Sequence, residues 1–312
     1  MSLCLDMQIV DRIVGAFVRR YRWFFVHPKA RRQFQRLRIL DSFESIQYII
    51  EHRCSVSRYG DGELAMMCGK DIGFQKADIK LRERLKQVLY AHDVPNHVIG
   101  LPCHLQNVKG TVTSTRTFWG EFVCKYGNCF SPFIRNDCVY IDTQISRFYI
   151  GYHNYKRSTK QLAMLRQIWE DHEIVIVEGT QSRTGVGNDL YDNAKSLQRI
   201  LGYSTNGFSH YDEMLQAITS HVNPKDGKLI LLSYGPTATI LAYDLAKLGY
   251  QAIDIGHLDI EYEWYRQKAS KGGVVKGKYT NEADGGSKVE ECHDEKYLSQ
   301  IICDITKGNH DS

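Results

Sequence analysis

Residues 55–64 read Ser55-Val-Ser-Arg-Tyr-Gly-Asp-Gly-Glu-Leu64, a β-type segment that passes through a glycine-flanked turn into a helix-forming run. The turn sets two carboxylates, Asp61 and Glu63, two residues apart, with Arg58 just upstream. In open α/β folds such a turn lies at the carboxyl end of a strand, where ligands bind. Two carboxylates there suit a divalent cation that also holds a diphosphate, because Mg²⁺ takes one or two carboxylates and leaves its other positions to phosphate and water. The alternative is an ordinary hairpin, since Asp-Gly is a common turn signal.

The rest of the chain predicts strands that alternate with helices. The first half contributes a capped helix from Asp41, strand 54–59, helix 79–91 and strands 98–101 and 138–142. The second half contributes strand 172–178, polar loop 179–187, helix 188–201, strand 228–234, helix 235–249 and strand 251–255. Alternation of this kind predicts a mostly parallel sheet with right-handed crossovers, flanked by helices. Residues 284–294 are expected to form an exposed loop before a C-terminal element.

Composition limits the class of protein. The chain has 312 residues, 43% of them hydrophobic, and no apolar run near the roughly 20 residues needed to span a bilayer. Its N-terminus lacks a basic segment ahead of an apolar core, so we expect no secretory signal. Nine cysteines without a framework spacing predict free thiols in a reducing compartment, and they lack the spacing of a structural zinc site. We therefore expect a cytoplasmic protein.

The net charge of +4 is concentrated in an N-terminal arm, residues 1–38. The first 40 residues hold about nine Arg or Lys against two Asp, so the remaining chain is near −3. Within residues 8–32, arginines alternate with Phe17, Trp23, Phe24 and Phe25 at helical spacing. This amphipathic helix is predicted either to lie on an anionic membrane surface at the inner face or to pack on the domain or a partner subunit. The charge gives no support to a nucleic-acid groove.

The loop after strand 172–178 has features of a phosphate site. Arg183 lies among small residues and leads through Gly185 towards Asn188 and Asp189. Backbone amides at a helix N-terminus favour phosphate, and arginine adds paired donors. The loop lacks the P-loop and dinucleotide fingerprints. Asn188 and Asp189 could equally be helix caps.

The loop after strand 251–255 alternates titratable and apolar residues. In an extended backbone His257, Asp259 and Glu261 would point to one face. They could then supply a metal ligand or a general base for an incoming hydroxyl. An edge strand with a solvated face is the alternative. Further on, Lys278 adds a cationic donor, or belongs to a plain basic turn.

Five ordered motifs together resemble the GT-D type bacterial glycosyltransferases, once catalogued as a domain of unknown function. The resemblance covers roughly residues 40–283, and the arm lies outside it. They are Arg58-Tyr-Gly-Asp-Gly-Glu63, the segment from Glu178 to Leu190, Ser233-Tyr-Gly-Pro-Thr-Ala, Asp254 to Trp264 and Lys278-Tyr-Thr-Asn-Glu282. We therefore divide the chain into the arm (1–38) and a GT-D-like domain (39–312).

The resemblance implies a Rossmann-like α/β fold and transfer of a sugar from a nucleotide-sugar, with UDP as the expected nucleotide. Its Asp-x-Glu metal motif corresponds to Asp61 and Glu63, which would bind Mn²⁺ or Mg²⁺ with the diphosphate. We expect Glu261 or Asp259 to act as the general base. Six of the residues discussed above are expected to contact the cofactor. Those cofactor contacts are Arg58, Arg183, Gly185, Asn188, His257 and Lys278.

The expected acceptor is a glycan, glycoprotein or lipid-linked sugar in bacterial surface-polysaccharide or glycoprotein assembly. Two alternatives are a catalytically silent, membrane-associated scaffold of the same fold and another nucleotide-dependent α/β transferase. The second alternative has no supporting glycine-rich fingerprint in this sequence.

Overall fold

The centre of the molecule is a nine-stranded sheet in which every hydrogen-bonded pair of strands is parallel. The computed structural model describes residues 14, 15, 17, 18 and 20–307. In chain order the strands are β1 (Arg38–Ile39), β2 (Ser55–Arg58), β3 (His97–Leu101), β4 (Val139–Asp142), β5 (Glu173–Gly179), β6 (Ser196–Gly202), β7 (Leu229–Ser233), β8 (Gln251–Asp254) and β9 (Ile301–Asp304). Their order across the sheet is β1-β4-β3-β2-β8-β7-β5-β6-β9. The predicted parallel α/β fold is confirmed.

Helices flank the sheet. They are α1 (His27–Arg31), α2 (Ser42–His52), α3 (Asp61–Met67), α4 (Ile79–Tyr90), α5 (Thr113–Phe130), α6 (Tyr155–Arg166), α7 (Tyr211–His221), α8 (Gly235–Lys247), α9 (Leu258–Arg266) and α10 (Glu295–Ser299). Local signals explain where several of them begin. Asp41 and Glu44 form the capping box of α2, and Pro236 occupies the first turn of α8.

The central strands are buried on both faces because helices cover both sides of the sheet. In β5, Ile174 and Ile176 belong to one apolar cluster, while Val175 and Val177 belong to the cluster on the other side. A strand buried in this way is an almost continuous apolar run, as expected for a parallel sheet. This core fixes the carboxyl ends of the central strands, and the candidate site lies there.

Two predicted elements differ from the structure. Residues 188–201 do not form a helix: a turn-rich segment leads into β6, which pairs with β5 from Ser196 to Gly202. The ladder with β5 outweighs the helical propensity of this segment. The loop 256–263 is not extended, because α9 begins at Leu258. All residues from 258 to 265 are buried in α9, so its polar side chains point inwards as well.

The prediction that the cysteines are free thiols also differs from the structure, at one pair. Cys68 and Cys129 form a disulfide bond, with their Cα atoms 5.9 Å apart. The other six cysteines of the described chain are free, as predicted.

The N-terminal arm packs on α5 where the structure describes it. Residues 8–13, with Ala16 and Arg19, lie outside the described residues, so the predicted helix cannot be followed through them. The visible part continues through a π-helical turn, Arg22–Val26, into α1. Phe34 and Leu37 already belong to the apolar core. Among the residues described, no helix combines the length and apolar character needed to cross a membrane.

Candidate active site

A cavity of about 760 Å³ opens at the carboxyl ends of four neighbouring strands. Arg58 ends β2, Gly179 ends β5, Ser233 ends β7, and Gly256 follows β8. All four residues line the cavity. This is the edge at which open α/β sheets bind ligands. The structure thus brings residues of the three polar loops 58–63, 178–189 and 256–263 around one space.

Asp61 and Glu63 face this cavity from the first turn of α3. Asp61 is exposed, whereas Glu63 is buried and its Oε2 accepts the Gly60 amide at 2.7 Å. Glu63 therefore also caps the helix. Both carboxylates lie where the strand-to-helix turn was expected to place them.

These two carboxylates suit a cation that shares its ligands with a substrate. Among the described residues no group of three or more His, Cys, Asp or Glu is arranged to hold a metal ion. A preformed cage of protein ligands is therefore not what this site offers. Mg²⁺ is commonly bound by one or two carboxylates together with substrate phosphates and water. The donor set of Asp61 and Glu63 fits that second kind of site.

Arg58 places a positive charge beside the carboxylates. Its Nε lies 3.6 Å from Oδ1 of Asp254, a residue that is almost fully buried. Burial raises the pKa of Asp254 to about 7, although the charge of Arg58 opposes this. Gly256 makes room for the guanidinium: its φ is +50°, and a Cβ there would lie 2.5 Å from Cζ of Arg58. Arg58 is thus kept at the cavity beside a carboxyl group whose pKa lies well above its ordinary value.

Four titratable side chains form a chain of contacts along the cavity wall. Nη1 of Arg147 lies 3.7 Å from Oε1 of Glu261, and its Nη2 donates to Oε1 of Glu282. On the other side of Glu282, Oε2 lies 2.8 Å from Nε2 of His257. All four residues line the cavity. Carboxylates therefore alternate with nitrogen-bearing side chains from Glu261 to His257.

The environment shifts the pKa values of this chain in different directions. Burial raises the pKa of Glu261 and lowers the pKa of His257. Burial would also raise the pKa of Glu282, but the neighbouring His257 and Arg147 outweigh it and lower that pKa. Glu282 is thus the firmly ionised member, and His257 tends towards its neutral form.

Glu261 is held rigidly by the backbone. Its Oε2 accepts the amides of Tyr149 at 3.1 Å and Ile150 at 2.9 Å. Its Oε1 is buried and has no hydrogen-bond partner among the residues described. The carboxylate is therefore oriented, with one oxygen still able to accept a proton or a donor.

Asp259 has no such spare capacity. Its Oδ1 accepts the Gly185 amide at 2.9 Å and Nδ2 of Asn188 at 2.7 Å, and its Oδ2 lies 2.6 Å from Nζ of Lys278. Asn188 and Lys278 also contact Glu263. Asp259 touches the cavity, but Gly185, Asn188 and Lys278 are not among the residues lining it. These five residues, Gly185, Asn188, Asp259, Glu263 and Lys278, form a latch that joins the loop after β5 to α9, rather than a set of ligand contacts.

Arg183 lies away from the cavity as well. Its Nη1 donates to the carbonyl of Gly277 at 3.0 Å, and its Nη2 donates to the carbonyl of Glu290. The side chain is buried and does not line the cavity. Because two backbone carbonyls bind the guanidinium, Arg183 ties its loop to the later part of the chain and is not placed for a diphosphate.

Two charged residues at the site were not singled out from the sequence. Arg147 follows β4 and could have been found by the same rule that singled out the other strand ends. Glu282 belongs to the segment with Lys278, where only the cationic residues were considered. The negative charges of Glu282, Glu261 and Asp61 outweigh burial and raise the pKa of Arg147. Arg147 thus lies within the field of the proposed metal ligand Asp61.

Aromatic rings form much of the remaining wall. The cavity is lined by Phe74, Phe118, Trp119, Tyr203, Tyr234, Trp264 and Tyr279. The rings of Phe74 and Tyr279 meet edge to face, with their centroids 6.3 Å apart. Flat apolar surfaces next to charged groups suit a ligand that has both a ring system and an anionic part.

Known proteins share this sequence and fold. Residues 56–283 match the profile of the family described as "Glycosyltransferase GT-D fold". The chain is 36% identical over 262 residues to "Glycosyltransferase GlyD" of Streptococcus pneumoniae serotype 4 (strain ATCC BAA-334 / TIGR4). The aligned region covers 84% of this chain and 32% of that protein. It is 34% identical over 273 residues to "Probable glycosyl transferase Gly" of Streptococcus gordonii, covering 88% of this chain and 39% of that protein. The chain thus spans about a third of the length of these curated relatives.

Solved structures agree with the sequence match. One, of domain of unknown function 1792 and described as having a distinct glycosyltransferase fold, superposes with a TM-score of 0.82 at 34% identity, covering 89% of this chain and 99% of that one. Another, a new glycosyltransferase of the same domain from Streptococcus sanguinis, gives a TM-score of 0.80 at 34% identity, covering 86% and 99%. The profile match takes in more than half of the chain, and the folds agree over nearly all of the solved structures. The chain therefore belongs to the glycosyltransferase GT-D fold family.

Proposed function

We propose that the protein is a metal-dependent glycosyltransferase that moves a sugar from a nucleotide-sugar, a UDP-sugar in the first instance, to an acceptor hydroxyl. Family membership and the names of both relatives support the transfer reaction. The single observation that carries the metal-dependent form is the position of Asp61 and Glu63. The two carboxylates begin a helix at the ligand-binding edge of the sheet and face a 760 Å³ cavity.

In this proposal Asp61 and Glu63 hold Mn²⁺ or Mg²⁺ against the donor diphosphate. The cation supplies charge stabilisation for the departing nucleotide. Arg58 and Arg147 add positive charge from the protein, Arg147 in the place that we expected Arg183 to take. The aromatic wall, including Phe74 and Tyr279, offers the base and the sugar flat surfaces to pack on.

Glu261 is the better of the two predicted candidates for the general base. Asp259 is paired with Lys278, and its two oxygens already accept three donors, so neither oxygen is left to receive the acceptor hydroxyl. Glu261 keeps one oxygen without a hydrogen-bond partner, and burial raises its pKa above the ordinary value, which makes its carboxylate a stronger base. We propose that Glu261 accepts the proton of the acceptor hydroxyl. Arg147 lies between Glu261 and Glu282 and contacts both carboxylates.

We propose that the acceptor is a glycan, glycoprotein or lipid-linked sugar in the assembly of a bacterial surface polysaccharide or glycoprotein. The relatives' names identify no acceptor, so this part rests on the resemblance of the site motifs. We place the reaction in the cytoplasm, where nucleotide-sugars are made.

Release of UDP tests the proposal. The purified chain is incubated with individual UDP-sugars, with and without Mn²⁺. We expect metal-stimulated release that falls at least about a hundredfold in Asp61→Asn and Glu63→Gln, because each removes charge from the cation's ligand set. Gln can still accept the Gly60 amide, so Glu63→Gln keeps the helix cap. Asp192→Asn, which changes an exposed carboxylate without side-chain contacts in the structure, is the matched control.

Two outcomes would contradict the proposal. Release that does not depend on metal, or that survives in both variants, would remove the carboxylates from the reaction. Failure of the wild-type chain to bind or turn over any sugar nucleotide would instead favour a silent scaffold of the same fold.

A further inference from the structure

One face of the N-terminal arm carries a stripe of exposed apolar residues. The stripe consists of Val14, Phe17, Val18, Tyr21, Phe24 and Phe25. Their spacing of three and four residues places them along one side of a helix. Phe17 is 72% exposed and Phe25 is 65% exposed, which is unusual for phenylalanine in a globular protein. We call these six residues the arm stripe.

The opposite side of the arm is fixed to α5. Nε of Arg22 donates to Oε1 of Glu121 at 2.8 Å, and Nε2 of His27 lies 3.0 Å from the same oxygen. The guanidinium of Arg116 lies 5.6 Å from the ring centroid of Trp23. The two predicted alternatives are therefore not exclusive. The arm packs on the domain and still presents an apolar stripe to the outside.

The exposed charged side chains that the arm itself contributes beside the stripe are positive. Arg20, Lys29 and Arg32 are exposed, and the sequence has no Asp or Glu between Asp11 and Asp41. Arg20 precedes Phe24 by four residues and Lys29 follows Phe25 by four, so these cations lie beside the stripe. Aromatic residues flanked by arginine and lysine are the pattern of a helix that lies in a bilayer interface. Cations at such positions are attracted to an anionic leaflet.

We propose that the arm stripe docks onto a bilayer that contains anionic lipid. The aromatic side chains enter the boundary between headgroups and acyl chains, and the flanking cations pair with lipid phosphates. A second copy of the chain would satisfy the apolar stripe but would bring two strongly basic surfaces together. Charge complementarity therefore favours the lipid surface over self-association.

Helix α5, on which the arm packs, also forms part of the cavity wall. Phe118, on α5, is 48% exposed and lines the cavity. Glu121, three residues further along α5, holds Arg22 of the arm. Less than one helical turn thus separates the cavity wall from the arm's anchor. One consequence, which rests on the proposed function, is that a lipid-linked acceptor could reach the cavity without leaving the membrane.

Vesicle co-sedimentation of the full chain tests the docking without using any enzyme activity. The probes are vesicles of phosphatidylcholine alone and vesicles that also contain phosphatidylglycerol. We expect binding to the anionic vesicles, and weaker binding as salt is raised. Phe24→Ser with Phe25→Ser should together weaken binding by about tenfold or more, since the lipid boundary would bury the exposed part of both rings.

Controls separate the two contributions and the alternative partner. Ile79→Ser removes an equally exposed apolar side chain, 72% exposed, on α4, and should bind like the wild type. Lys29→Glu with Arg32→Glu should abolish the preference for anionic vesicles. Because all substituted residues are exposed, each variant should keep its melting temperature.

The proposal would be overturned by equal binding of the wild type and the double serine variant. It would also be overturned if the wild type failed to bind anionic vesicles. Sedimentation velocity without lipid covers the remaining case: a dimer that dissociates in the double serine variant, with no vesicle binding, would assign the stripe to a second copy of the chain.

Discussion

Replacing Lys278 by methionine tests whether Asp259 belongs to a structural latch rather than to the reaction. Nζ of Lys278 lies 2.6 Å from Oδ2 of Asp259 and 3.4 Å from Oε1 of Glu263, and the lysine side chain is 5% exposed. Methionine keeps most of the apolar length but leaves the buried carboxylate of Asp259 without a cation, and that of Glu263 with Arg266 alone, at 3.5 Å. Removing one partner of a buried ion pair costs about 3–5 kcal/mol.

That cost translates into a measurable shift in thermal unfolding. With an unfolding entropy of about 2.1 cal/mol/K per residue, a chain of this length should lose roughly 5–8 °C in Tm. Circular dichroism melting and urea unfolding would both report the change. Lys276→Met, at an exposed lysine two residues earlier, is the matched control and should stay within about 0.5 kcal/mol of the wild type.

A double variant distinguishes the ion pair from a simple packing defect. Lys278→Met combined with Asp259→Asn removes one of the uncompensated charges and should recover part of the lost stability. If Lys278→Met melts with the wild type, the latch does not contribute as described. If the double variant is no more stable than Lys278→Met alone, the loss comes from packing and the charge argument is refuted.

Two further predictions concern Arg58 and its partner. Gly256→Ala and Gly227→Ala both put alanine at a positive φ, so each should lower the free energy of unfolding in urea by about 1–2 kcal/mol. Only Gly256→Ala also crowds Arg58, so only this variant should reduce nucleotide release. Equal activities would contradict the role of Arg58. Because the pKa of Asp254 is about 7 against an ordinary 3.8, the folded state holds more protons in that window and stability falls as pH rises through it, by up to about 1.4 kcal/mol per unit. The stability of Asp254→Asn relative to the wild type should therefore rise between about pH 4 and about pH 7, and a constant difference would refute this.

Much of the fold could be predicted because the sheet is parallel and buried on both faces. Strands such as β5 and β7 are short apolar runs between polar loops, and each is followed by a recognisable turn. The helix predicted over 188–201 was wrong because residues 194–201 include several good helix formers, and only pairing with β5 makes 196–202 a strand. Sequence shows propensity but not the neighbouring strand that overrides it.

The prediction of an extended backbone over residues 256–263 was wrong for a different reason. From Leu258 to Tyr265 every side chain of α9 is buried, so no solvent-facing side imposes the usual helical period. The alternation of Asp259 and Glu261 with apolar residues therefore resembled a strand. The polar groups are buried because they bind partners that are remote in sequence, Lys278 and the amide of Tyr149 among them.

The candidate site could be located from sequence more readily than its contacts could be assigned. Residues at strand ends converge because of topology, which explains the placement of Arg58, Asp61 and His257 around the cavity. Which arginine faces the cavity depends on nearby backbone carbonyls. Arg183 is bound by two of them, whereas Arg147 remains at the wall, and no pattern in the sequence separates the two cases.

Crystals grown with UDP and Mn²⁺ would test the central claim most directly. Anomalous scattering from manganese locates the cation without reference to any assumed mechanism. The account predicts one anomalous peak bound by carboxylate oxygens of Asp61 and Glu63 and by oxygens of the diphosphate. A peak elsewhere, or bound UDP with no cation between these carboxylates and the diphosphate, would contradict it.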